Sequence, residues 1–221
     1  ATNKQQIVDN ITRTREAVAG SFVPSTAGMI PGYTVPQGLS YDPAKAIALL
    51  REAGYEDGAS LGPVVIHYNT GAGHKPIAEA ISKMWTDTLH VKTSIREQEW
   101  KTYLARTNAG NFMVARLAWF GDYTDPTTFL DLFKSTNGNN DTKFNSPAYD
   151  KLLADAATAP TPKKRMALLH KAEKMVVEEE LPLMPIYHYK LVHLFDPERV
   201  GGVSIHPRNL LSRSFDRSHG G

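Results

Sequence analysis

Between Pro63 and Phe120 the sequence repeats a strand-then-helix pattern, and that repetition limits the folds open to the chain more than any other feature. Pro63-Val64-Val65-Ile66-His67-Tyr68 is rich in β-branched and aromatic residues. The turn Asn69-Thr70-Gly71-Ala72-Gly73 follows, and helical spacing runs from about His74 to Leu89. Val91, Thr93 and Ile95 then alternate as in a half-buried strand. Glu99 to Ala109 regains a helical pattern, and the largely apolar run from Phe112 to Phe120 reads as a buried strand. The order is therefore β, α, β, α, β. Parallel neighbours need crossover connections, so the fold class is α/β: a largely parallel or mixed sheet covered by helices. Gly71 and Gly73 invite a phosphate-loop reading, but the full spacing and the lysine-serine ending are missing.

The flanking segments extend this domain without dividing it. Lys4 to Arg13 places Ile7, Val8 and Ile11 at helical spacing, with Thr2 or Asn3 available as a cap. Phe22 to Tyr41 is rich in proline and glycine and reads as loop. Asp42 and Pro43 then open a helix that Gly54 ends, with Ile47, Leu49, Leu50 and Ala53 expected on its buried face. Pro126 to Phe133 reads as a short helix, Ser135 to Phe144 as a polar loop, and Ser146-Pro147 and Thr161-Pro162 each open a helix. The second runs to about Glu180, with Met166, Leu169, Ala172, Met175 and Val176 on one face. Leu183 to Phe195 is expected to form one or two strands, and the tail from Arg208 a frayed end.

Composition narrows the functional classes. The formal net charge is +2, and the longest basic run, Lys163-Lys164-Arg165, sits at an expected helix start, so nothing calls for nucleic acid or an acidic membrane. Cysteine is absent, which excludes disulfides and thiolate metal sites. The eight histidines form no zinc-protease motif, so neither metal nor cofactor is expected. No window approaches the eighteen or so apolar residues of a membrane helix.

The site is expected where the run 112–120 ends. Gly121, Asp122, Tyr123, Thr124, Asp125 and Pro126 follow it, and a strand leaving an open α/β sheet delivers its last side chains to the carboxyl edge, where such folds bind ligands. Asp122 is the first candidate for a binding carboxylate. Asp125, directly before a proline, is better explained as a helix N-cap.

Ala118-Trp119-Phe120-Gly121-Asp122-Tyr123-Thr124-Asp125-Pro126-Thr127-Thr128-Phe129-Leu130 resembles the signature of oligopeptide-binding proteins, the extracytoplasmic receptors of peptide ABC importers. Similar patterns occur in Asn3 to Asn10, Ser21-Phe22-Val23-Pro24, His67-Tyr68-Asn69-Thr70 with His74, Glu97 to Leu104, Asn139 to Leu153 and Leu183-Met184-Pro185-Ile186-Tyr187. The resemblance implies a two-lobed receptor that encloses its ligand. Residues 1–191 would be the C-terminal lobe and 192–221 a return segment toward the other lobe. The start at Ala1-Thr2-Asn3-Lys4 resembles the middle of a family member, so the chain is read as a fragment of an exported protein, periplasmic or cell-surface anchored.

The same resemblance implies roles. Asp122 would hold the α-ammonium of a peptide, Arg116 and His74 would reach its carboxylate, and Trp119 and Tyr123 would flank the ligand. The partners would be short peptides and the membrane permease of an ABC importer, with the receptor a monomer and not an enzyme. Two alternatives stay open: a receptor of the same fold for a sugar, nickel complex or haem, and a hydrolase using Asp122, for which Asp125 would be the nearest second carboxylate.

Overall fold

The structure, a computed structural model, describes residues 1–24, 30–190 and 196. Helix α1 (Lys4–Ile7) is capped by the Asn3 side chain, which accepts from the Gln6 amide at 3.0 Å, and it widens into a π turn through Thr12. Strand β1 (Ala17–Val18) follows, and a long irregular stretch leads to helix α2 (Pro43–Glu52). Asp42 caps α2 by accepting from the Lys45 amide at 2.9 Å, and Pro43 occupies the first turn, where a missing N–H costs nothing. The expected buried face of α2 is not formed. Leu49 and Ala53 are exposed and Ile47 and Leu50 only half-buried, because Ala46 and Leu49 line an open cavity and not a packed layer.

Strand β2 (Val64–Asn69), helix α3 (His74–Leu89), strand β3 (Thr93–Gln98), helix α4 (Trp100–Asn108) and strand β4 (Val114–Ala115) give the alternating order read from the sequence. The three strands form a parallel sheet in the order β3-β2-β4. Val64 pairs with Thr93 through to Asn69 with Gln98 on one side, while Ile66 and His67 pair with Val114 and Ala115 on the other. The central strand is buried almost throughout, as expected for a strand covered on both faces.

The buried strand expected over 112–120 is the largest departure. Only Val114 and Ala115 pair, with the Arg116 amide adding one bond to the His67 carbonyl at 2.9 Å. In this register β2 ends opposite Leu117, so the chain from Ala118 on has no neighbouring strand to pair with. Met113 and Phe120, each 61% exposed, and Leu117, 46% exposed, point their apolar surface into a cleft and not into a core.

Beyond this crossing segment come helices α5 (Thr127–Leu130), α6 (Pro147–Ala157) and α7 (Pro162–Lys174), then strand β5 (Tyr187–His188). Ser146 and Thr161 cap α6 and α7, each with proline in the first turn, and α7 runs on as a π turn to Glu179. Tyr149, Leu153, Leu169, Ala172 and Val176 bury the facing sides of these two helices together with Phe129, Leu130 and Val23. A separate apolar cluster of Ile7, Ile66, Tyr68, Ala78 and Ile81 lies between the sheet and α3. Strand β5 pairs antiparallel with β1 and ties the late chain to the early one. Of the strands expected over Leu183 to Phe195, the described residues contain Tyr187–His188, and residues 191–195 lie outside them. The expected return segment, 192–221, and the frayed tail also lie outside the described residues, except for Asp196.

Candidate ligand cleft

The carboxyl ends of the three parallel strands lie on one edge, at Asn69, Gln98 and Ala115, and a cleft of about 1840 Å³ lined by Ala115 and the residues after it opens beside that edge. Its lining includes all five residues singled out from the sequence: His74, Arg116, Trp119, Asp122 and Tyr123. The topology explains this placement. Parallel strands all deliver their last residues to the same edge, and the unpaired run 116–123 crosses it.

Arg116 is half-buried, and its guanidinium is held at both tips. Nη1 donates to Asn69 Oδ1 at 3.4 Å, Nη2 donates to the Tyr189 hydroxyl, and the guanidinium carbon lies 5.9 Å from the Tyr189 ring centre. Its backbone is fixed from below: the carbonyl accepts from the hydroxyl of Tyr103, a fully buried side chain that also reaches the His67 carbonyl at 3.3 Å. His74 opens α3, and its Nδ1–H donates to the Asn69 carbonyl at 2.9 Å, which leaves Nε2 for another partner.

The two aspartates separate cleanly. Asp122 is exposed; its amide donates to Thr128 Oγ1 at 2.8 Å, and its carboxylate has no ion pair among the described residues. Asp125 has a structural role, but not as the N-cap expected of it: Pro126 occupies that position and Asp125 lies one residue before it. It accepts from the Thr127 amide at 3.0 Å and from both terminal nitrogens of Arg165 at 2.7 and 2.8 Å. Burial works to raise its pKa, but Arg165 and Thr127 outweigh that and hold the carboxyl below its usual value. Tyr123 is 49% exposed, with its hydroxyl 3.3 Å from Thr127 Oγ1. Trp119 packs against the helical core, and its buried Nε1 has no partner among the described residues.

Several supporting residues come from elements outside the crossing segment. Asn69, Tyr103 and Tyr189 meet Arg116 only through the fold, and Arg165 reaches Asp125 from 40 positions away. Glu173 is another: fully buried, it accepts from the amides of Phe22 and Val23 at 2.8 and 2.7 Å and from the Tyr33 hydroxyl at 2.6 Å. It fixes the proline-rich stretch to α7. Burial raises its pKa despite these donors.

With that geometry in hand, residues 1–141 match the model of the bacterial extracellular solute-binding proteins, family 5, middle region. The chain belongs to that family. Among the relatives of this family 5 chain, the periplasmic murein peptide-binding protein MppA of Escherichia coli is 40% identical over 198 residues, covering 88% of this chain and 36% of its own length. The periplasmic oligopeptide-binding protein OppA of Salmonella typhimurium is 37% identical over 158 residues, covering 72% and 28%. The structure of the E. coli murein tripeptide-binding protein MppA superposes with a TM-score of 0.82 at 35% identity, over 99% of this chain and 43% of that one. That of Haemophilus influenzae OppA in complex with RPPGFSPFR gives 0.76 at 30%, over 85% and 37%. The chain thus spans roughly a third of the length of these family 5 relatives.

Proposed function

We propose that this chain is the C-terminal lobe, over residues 1–191, of an extracytoplasmic receptor that binds short peptides by their termini and backbone and delivers them to the membrane permease of an ABC importer. The observation that carries this reading is the pairing of chemistries on one cleft. A solvent-facing carboxylate with no ion pair among the described residues, Asp122, and a guanidinium held at its tips, Arg116, stand on the same crossing segment at the edge of a parallel sheet. A zwitterionic peptide needs one of each, and a charge-assisted pair at either end is worth roughly 1.5 to 3 kcal/mol. His74, Trp119 and Tyr123 line the same space and complete the proposed set. The names of the relatives, murein peptide-binding and oligopeptide-binding, support the ligand class, and their periplasmic designation supports a place outside the cytoplasmic membrane.

A receptor is favoured over a hydrolase because Asp125 is committed to Arg165 and Thr127 and is no partner for Asp122. The test is titration calorimetry on the whole receptor with trialanine, its N-acetylated form and its C-terminal amide. Blocking either end should weaken binding about tenfold or more, and Asp122→Asn should remove the penalty for acetylation. Equal affinity for all three peptides would overturn the reading.

A further inference from the structure

Tyr189 reaches Arg116 from 73 positions further along the chain, and nothing in its local sequence connects it with the cleft. Its ring stacks on Phe120 at 5.8 Å with the planes 29° apart, and meets Tyr187 edge-on at 5.1 Å. Tyr187 is anchored in β5, whose pairing with β1 fixes the segment. Phe120 lies on the crossing segment between Arg116 and Asp122. The guanidinium carbon lies 5.9 Å from the centre of the same tyrosine ring, and Nη2 donates to its hydroxyl.

A guanidinium carries five N–H donors in a rigid fork. Here one donor of Nη1 goes to Asn69 and one of Nη2 to Tyr189, so each terminal nitrogen keeps a second N–H. Two remaining donors, one on each tip, are what a carboxylate accepts side by side. We propose that Tyr189 is a positioning residue for Arg116 and sets the receptor's preference for a ligand carboxylate: its ring and hydroxyl hold the fork in one orientation, with the free pair of donors turned to the cleft. The inference rests on the peptide reading of the site and assigns to the distant β5 segment a part in its specificity. Without Tyr189 the arginine keeps its charge and loses its aim, so long-range attraction for an anion survives while discrimination between a carboxylate and an amide declines.

The experiment uses the whole receptor carrying Tyr189→Phe, Tyr189→Leu or Arg116→Ala, and trialanine as free acid and as C-terminal amide. Tyr189→Phe keeps the stack and removes the hydroxyl. Its preference for the free acid should fall roughly 2- to 10-fold, the loss of one hydrogen bond, with affinity for the amide unchanged. Tyr189→Leu, which also loses the ring, should fall further, and Arg116→Ala should show no preference. A merely structural tyrosine would weaken both peptides equally. If the parent prefers the free acid and Tyr189→Phe keeps that preference in full, the positioning role is wrong and the peptide reading stands. If the parent binds neither peptide, the peptide reading falls and this inference with it.

Discussion

At the scale of single residues, two aspartates three positions apart have opposite fates, and the difference lies in what each faces. Asp122 is exposed and its carboxylate has no ion pair among the described residues, so Asp122→Asn should leave the unfolding temperature of the chain within a degree or two while altering ligand binding, since exposed substitutions of this kind shift stability by about 0.5 kcal/mol or less. Asp125 is a quarter exposed and held by Arg165. Arg165→Ala should destabilise the fold by about 2 kcal/mol, because it strands a partly buried charge. Since the folded state depresses the Asp125 pKa, its contribution is present above the unfolded value near pH 4 and fades as the pH falls through the lower folded value. The gap between parent and Arg165→Ala in thermal unfolding should therefore close in acid. Glu173 has the reverse sign. Its folded pKa is raised by burial, so the stability linked to it is full below its ordinary value and declines as the pH rises through the raised one. The advantage of the parent over Glu173→Gln should shrink from pH 4 toward neutrality, and an advantage that grows with pH would show that the donors from Phe22, Val23 and Tyr33 outweigh desolvation.

At the scale of elements, the short helix α5 governs where the crossing segment ends. Thr128 receives the Asp122 amide, and a methyl group placed on Gly121 would sit 3.0 Å from both the Phe129 ring and the Thr128 methyl. Phe129 and Thr128 are buried and have little room to give. Gly121→Ala should cost about 1 to 3 kcal/mol by overpacking and, in the whole receptor, weaken peptide binding by moving Asp122; unchanged affinity in a folded variant would show that the loop adapts. Not every element is legible in the local sequence. The alternation over 63–109 was legible because strand and helix periods differ and glycine turns separate them, so α3 begins and ends where expected, at His74 and Leu89. Caps at Asn3, Asp42, Ser146 and Thr161 were legible for the same local reason. The run 112–120 misled because apolar composition marks a surface that avoids water without saying whether a core or a cleft covers it; only the register shows that β2 ends first. The buried face expected of α2 failed in the same way. In the cleft, Asp122 and Arg116 are marked by the signature and the strand end, whereas the hold of Asn69, Tyr103 and Tyr189 on Arg116 comes from other elements that only the fold brings beside it.

At the scale of the whole molecule, packing is unevenly distributed. One apolar cluster joins the sheet to α3, another joins α5, α6 and α7, and the β1–β5 pair ties the early chain to the late, and on these grounds we expect this chain to fold alone. Its cleft is different: Met113, Leu117, Phe120, Leu181, Met184 and Tyr189 line it and remain substantially exposed. Apolar surface of this extent marks a binding or interaction face. In a receptor that closes around its ligand, a second wall would cover this one, exclude water and supply the remaining backbone partners. An isolated wall leaves the ligand partly hydrated, where charge-assisted contacts to Asp122 and Arg116 are weakened by solvent. Forfeiting even a few hydrogen bonds at roughly 0.5 to 1.5 kcal/mol each moves a micromolar site toward millimolar, because about 1.4 kcal/mol is tenfold in affinity. We therefore expect the isolated chain to unfold cooperatively on heating yet to bind trialanine at least a hundredfold more weakly than the whole receptor does. Titration of both proteins under the same conditions, with thermal unfolding of the isolated chain as the check on its fold, decides the matter. Binding of equal strength by the folded chain alone would mean that the entire site lies on this wall, and that enclosure by a second lobe contributes nothing to affinity.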